Sequence, residues 1–321
     1  MRISYLSSIF IAVADGAVLP RISSRDLPKF NNVFTFGDSY TTTGFNVSGT
    51  QPNVANPLGN PAFPGVTNNN GPNYISYFVS QDFGNIFDFN FAYSGATTDT
   101  SIVAPNGSPP SYVQQVQTFI KYYARNSTSP KASWEDCTTL FTQFFGINDI
   151  QHGAFMTPPG GKVSESTPFN PNWQALAETV VNRQFEQISL LHDLGGRNFL
   201  VLSVPPIWKT PMVLAYNTTV QKNWHKAVTV FNDVLDAKYN EVKDQPNMDD
   251  SQFWYYDTTG IFNQAINDPT AYGAPNATCF NSDGTSCLWW NNFHPGLAIQ
   301  TLLGEAIVNK VNLFGRTRHN C

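Results

Sequence analysis

Asn32-Val33-Phe34-Thr35-Phe36-Gly37-Asp38-Ser39-Tyr40 is the stretch that decides how this chain reads. Val33–Phe36 is short, apolar and β-branched or aromatic, without polar alternation. Such a strand is buried on both faces, the habit of a parallel sheet covered by helices. It runs straight into Gly37-Asp38-Ser39. A serine there lies at the carboxyl end of the sheet, where open α/β folds keep their sites. Gly37 allows a tight backbone turn. Ser39 either caps the next segment or attacks a substrate. No Gly-x-Ser-x-Gly elbow occurs anywhere in the chain.

Four further runs share the strand character: Ile86–Phe91, Thr139–Phe145, Asn198–Val204 and Phe253–Tyr256. Helical patterns alternate with them at Pro72–Phe83, Tyr112–Arg125, Asn170–Gly195, Leu214–Asp244 and Leu297–Leu313. For the third of these, Asn170 is read as the cap, Pro171 as the first helical residue and Gly195-Gly196 as the stop. The fourth is read as broken near Asn217. Alternating strand and helix predicts an α/β layered fold. The stretches Asn46–Gly71, Gly153–Phe169 and Asp268–Trp290 read as long polar loops. No linker, repeat or appended module divides the chain, which predicts one catalytic domain over 17–321 with a core at about 31–313.

A serine nucleophile needs a base. Of five histidines (His152, His192, His225, His294 and His319), His192 and His225 fall within helical patterns and His319 lies in the tail. His294 stands in Trp289-Trp290-Asn291-Asn292-Phe293-His294-Pro295-Gly296, just before the last helix, where a loop can reach back over the sheet. Acyl transfer also needs donors for the oxyanion. The Ser39 N–H is one. Gly95, in Ala92-Tyr93-Ser94-Gly95-Ala96-Thr97, follows the second strand and can bring an N–H close to a ligand. Asn148, in Gly146-Ile147-Asn148-Asp149, follows the third strand and can donate its amide. Each of these is weak alone, because Gly and Asn after a strand are ordinary turn residues.

Together, Ser39, Gly95, Asn148 and His294 resemble, in order and context, the SGNH or GDSL-like hydrolase family. "FGDSYTTTG", "NFAYSGATT", "FGIND" and "NNFHPG" are similar to its four blocks, and the similarity runs from Asn31 to about Leu313. "FGDSYTTTGFNVSGTQPNVANPLGNPAFPG" and "FLVLSVPPIWKTPM" most resemble fungal acetylesterases of carbohydrate esterase family sixteen. The resemblance implies a flavodoxin-like three-layer α/β/α fold with a central parallel five-stranded sheet. It also implies no cofactor or metal, and release of acetate from acetylated sugars. One position departs from the family, which carries Asp three residues before the histidine; here it is Asn291. Asn291 is therefore read as orienting His294 without adding charge, with Asp149 and Asp257 as alternative acids. Trp289 and Trp290 are read as a sugar-stacking wall or as core. A lipase or lysophospholipase of the same family, and a non-catalytic carbohydrate-binding protein, are the competing readings.

Compartment signals are local. Met1–Arg2 followed by Tyr5–Val13 and Ala12-Val13-Ala14 predicts a signal peptide over 1–16, too short to span a bilayer. Five N-x-S/T sequons, at Asn46, Asn106, Asn126, Asn217 and Asn276, fit secretion. Cys279 and Cys287 share one Gly/Asn/Ser/Asp-rich loop and are expected to pair in an oxidising compartment. Cys137 is read as a buried free thiol and Cys321 as unpaired. Charged residues make up 13% of the 321, about half the usual ~25%. Net charge is −5 and Lys/Arg do not cluster, which argues against nucleic acid. Polarity comes instead from amides, including 33 Asn, which suits a neutral polar ligand. The expected partner is a small-molecule or oligosaccharide acetyl ester, acted on by a monomer.

Overall fold

The computed structural model describes residues 30–77, 79, 86–157 and 161–311. Its sheet has five strands: β1 (Asn32–Gly37), β2 (Phe87–Asn90), β3 (Thr139–Phe144), β4 (Asn198–Leu202) and β5 (Gln252–Tyr256). All pairings are parallel, in the order β2-β1-β3-β4-β5. That is the flavodoxin-like order, with its switch point at β1. Each predicted strand is found, with ends shifted by two residues or fewer.

The helices are α1 (Tyr112–Tyr122), α2 (Ile147–Gly153), α3 (Trp173–Asp193), α4 (Pro211–Leu214), α5 (Thr218–Lys243), α6 (Thr259–Asn267) and α7 (Leu297–Lys310). Helices α1, α3 and α5 cover one face; α6, α7 and a 3-10 turn at Tyr74–Tyr77 cover the other. The period-2 alternation of the strands explains the layering. Phe34, Phe89 and Phe141 point to the α1 face, where Phe34 meets Phe119, Tyr123 and Trp134 edge-on. Phe144 points to the opposite face and meets Tyr40 and Tyr74. An almost wholly aromatic layer of this kind supplies both burial and specific edge-to-face packing.

Three local expectations change. The α3 cap lies two residues later than predicted, at Asn172. Asn170 instead binds Gly153 O through Nδ2 and accepts from Asn172 N, so its amide ties the incoming loop. The predicted helix 72–83 is described only as the Tyr74–Tyr77 turn; most of its remainder lies outside the described residues. The predicted break near Asn217 is present, with Asn217 Oδ1 capping α5 through Val220 N. Cys137 is disulfide-bonded, not a free thiol. The signal peptide, His319 and Cys321 lie outside the described residues.

Candidate active site

Ser39 sits on the turn that leaves β1. Thr41 N and Thr42 N both donate to Asp38 O, and Tyr40 N donates to Asp38 Oδ1 at 3.0 Å. Gly37 is required by close approach: a Cβ there would stand 2.7 Å from the Thr41 side chain. From α1, Gln115 clamps the same turn, accepting from Gly37 N at 3.1 Å and donating to Gly37 O at 2.9 Å. The serine is thus held by the strand, its own turn and a helix on the far side of the sheet.

His294 arrives from the other end of the chain, and its Nε2 lies 2.9 Å from Ser39 Oγ. Its loop is fixed at several points. Trp290 N donates to His294 O, Gly296 N to Leu288 O, and Met212 N to Asn292 O. Tyr40 Oη donates to Phe293 O at 2.6 Å, joining the histidine loop to the residue after the serine. The Cys279–Cys287 disulfide closes the loop upstream.

Asn291 Oδ1 accepts from Phe293 N at 2.8 Å and from His294 N at 2.7 Å, and lies 3.1 Å from His294 Nδ1. Two backbone N–H groups can only face an oxygen, so the amide orientation is fixed. Nδ1 then carries the ring proton, and Nε2 is left as an acceptor toward Ser39. Burial pushes the His294 pKa down from 6.5 to about 4, so the ring is neutral near pH 7. The two alternative acids are engaged elsewhere. Asp149 accepts from Thr98 N and Thr98 Oγ1, and Asp257 from Ser203 Oγ and Thr259 N.

The donors come from adjacent strand ends. Gly95 has φ +82°, a region L side chains avoid, although a Cβ there would touch only Pro109 at 3.6 Å. Conformation, not crowding, requires this glycine. Among the described residues, neither the Ser39 N–H nor the Gly95 N–H has an acceptor. Asn148 donates from Nδ2 to Ala96 O at 3.0 Å and to Asp38 Oδ2 at 3.2 Å. The first contact fixes the amide plane. The second, longer contact turns the amide toward the serine turn. Burial raises the Asp38 pKa to about 7, which weakens the negative charge beside that position.

The tryptophan expectation divides. Trp289 is 0% exposed and donates from Nε1 to Ala277 O, so it is core and cannot stack on a sugar. Trp290 is half-buried, with its ring 6.0 Å from the His294 ring. Among the other histidines, His192 Nε2 meets Asp250 at 2.9 Å, and His225 packs on Trp208. All five sequon asparagines are exposed. Sequence reading missed Asn68, whose Nδ2 binds Ser39 O at 3.3 Å and Ser94 Oγ at 2.7 Å. It stands mid-loop in an Asn-rich run, where nothing local singles it out. Tyr93 was also missed, although it lies inside the Gly95 block.

A serine hydroxyl within hydrogen-bond distance of a neutral imidazole in the accepting tautomer is the pairing that nucleophilic catalysis uses. The family model for GDSL-like lipases/acylhydrolases matches residues 33–307, and the chain belongs to that family. It is a carboxylic ester hydrolase. An acetylesterase of Thermothelomyces thermophilus is 40% identical over 280 residues, which is 86% of this chain and 87% of the relative. A GDSL esterase/lipase of Arabidopsis thaliana is 28% identical over 52% of this chain and 50% of its own length. The phospholipase A1 structure from Streptomyces albidoflavus NA297 covers 87% of this chain and 98% of its own, with TM-score 0.47 and 15% identity. No helix among the described residues is long and apolar enough to cross a membrane.

Proposed function

We propose that the protein is a secreted serine acetylesterase that removes acetyl groups from plant cell-wall oligosaccharides. The observation that carries the reading is the Ser39–His294 contact in a chain whose near full-length relative is called an acetylesterase. His294 Nε2 takes the Ser39 proton as Oγ attacks the acetyl carbonyl. The oxyanion is met by the N–H groups of Ser39 and Gly95 and by the Asn148 amide. His294 then protonates the departing sugar oxygen, and water repeats the sequence on the acetyl-enzyme. Asn291 keeps the ring in the required tautomer. The predicted signal peptide and the exposed sequons support the secreted part of the reading.

Acetate release is to be measured from acetylated xylo-oligosaccharides, polymeric acetylated xylan and a phospholipid, beside a 4-nitrophenyl ester series. Acetyl esters are expected to be cleaved far faster than octanoyl esters, with oligosaccharides the best natural substrates. Octanoate cleavage equal to or faster than acetate cleavage would replace this reading with the lipase.

A further inference from the structure

A cleft of about 580 Å³ lies between the loop Thr42–Asn68 and the turn Tyr93–Ser94, and reaches the serine turn through Asn68. No lining residue is charged. Its wall includes Asn68, whose Nδ2 hydrogens go to Ser39 O and Ser94 Oγ. Its carbonyl Oδ1 has no partner among the described residues, and the Ser94 hydroxyl proton is equally uncommitted. Tyr93 lines the same cleft and is 54% exposed. Its backbone is nevertheless pinned on both sides, since Tyr93 N donates to Gly37 O and Ala96 N donates to Tyr93 O. An exposed aromatic ring on a rigid turn is an unusual thing to leave in water two residues from an oxyanion donor.

We infer that Tyr93 and Asn68 form a pyranose-binding subsite for the sugar that carries the ester. The apolar face of the ring would lie on Tyr93, with sugar hydroxyls meeting Asn68 Oδ1 and the Ser94 hydroxyl. The lining carries no charge and sets amides and hydroxyls among apolar side chains, with Phe45 and Phe91 beside the exposed Tyr93; that mixture matches the alternating apolar faces and hydroxyls of a neutral sugar and offers no cation to pair with a phosphate or a uronate carboxylate. An acyl chain in the same place would strand the Asn68 carbonyl and the Ser94 hydroxyl against hydrocarbon, which costs unpaired polar groups. The more apolar far end of the cleft, at Phe45, Val47 and Val66, would then continue under the next sugar.

This rests on the acetylated-sugar reading, so the test separates the two. Tyr93→Ala, Tyr93→Phe and Asn68→Ala are compared with wild type through the ratio of kcat/KM on acetylated xylobiose to kcat/KM on 4-nitrophenyl acetate. The ratio is expected to fall about tenfold or more in Tyr93→Ala and to be kept in Tyr93→Phe, which retains the ring. Independently, saturation-transfer NMR reads binding of plain xylobiose to Ser39→Ala protein, with and without Tyr93→Ala or Asn68→Ala. Signal that needs Tyr93 supports the subsite even if wild type releases no acetate from sugars, an outcome that would overturn the function alone. An unchanged ratio in Tyr93→Ala beside normal acetate release would overturn the subsite alone. A Tyr93→Ala effect confined to the octanoyl-to-acetyl ratio would reassign the cleft to an acyl chain and overturn the proposal.

Discussion

Asn291 Oδ1 faces His294 Nδ1 at 3.1 Å while accepting two backbone N–H bonds from the same turn. A carboxylate would do the same and add a negative charge. Here the ring is oriented by a neutral oxygen that the turn itself locks in place. In a serine protease, replacing the corresponding Asp by Asn costs about 10⁴ in rate because the wrong tautomer forms. On the proposed mechanism, the locked oxygen avoids that loss.

This has a consequence for pH. On the proposed mechanism His294 acts unprotonated, so kcat/KM should fall as pH drops through its pKa. With burial lowering that pKa to about 4, the acid limb should lie well below 6.5. Asn291→Asp favours the imidazolium and should move the limb upward. Asn291→Ala should lose about tenfold or more, part of the 10²–10⁴ a positioned base supplies. Profiles of kcat/KM from pH 3 to 9 read all three. Near-wild-type turnover in Asn291→Ala would rule out the orienting role.

Asn148→Ala removes an amide aimed between Ala96 O and the serine turn. If that amide meets the oxyanion, kcat should fall about 10²–10³ with a modest change in KM. Thermal unfolding of the same variant is the control. A residue that only ties loops together would lower stability and leave turnover near normal in the folded fraction.

Three buried carboxyls predict an acid-shifted stability optimum. Burial raises Asp38, Asp88 and Asp149 each from 3.8 to about 7. The folded state then binds more protons than the unfolded chain between those values, so stability falls as pH rises from about 4 to 7. His294, lowered by burial, works the opposite way between about 4 and 6.5 and offsets part of the slope. Melting temperatures should therefore be higher at pH 5 than at pH 8. Asp88→Asn, outside the active site, should flatten the dependence. A melting temperature that climbs steadily from pH 5 to 8 would contradict it.

The Cys279–Cys287 bridge closes a short loop upstream of His294. The chain-entropy model gives a bridge over so short a loop ~2.5 kcal/mol. Cys279→Ser with Cys287→Ser should lower the melting temperature by several degrees. The double variant is preferable to a reductant, because Cys137 is also disulfide-bonded and would open too. No change in melting temperature would mean that Trp289 burial and the backbone bonds of this loop suffice.

What the sequence disclosed follows from which forces are local. Val33–Phe36 could be read as a doubly buried strand because three of its four side chains are large and apolar, and all four are buried. Gly95 could be read as a turn residue because it follows the second strand, and its φ of +82° is one that L side chains avoid. Helix α6 went unread: nine residues with only Phe262 and Ala265 buried carry too short a period to stand out. Trp289 and Trp290 look alike as neighbours, and only tertiary packing sends one into the core. Asn68 acquires its place from Ser39 and Ser94, residues 29 and 26 positions away, so no nearby pattern could announce it.

The Tyr40–Phe293 bond joins residues 253 positions apart. The strand ends that bear Ser39, Gly95 and Asn148 are neighbours in the sheet and all precede the middle of the chain. The base follows only with the loop and helix after residue 280. During synthesis, then, a ribosome extrudes Ser39, Gly95 and Asn148 long before it extrudes His294. On the proposed chemistry, the half-made protein is inert toward esters. Hydrolysis begins when α7 docks and Phe293 O meets the Tyr40 hydroxyl, so catalytic competence doubles as a report that the last helix has found its place.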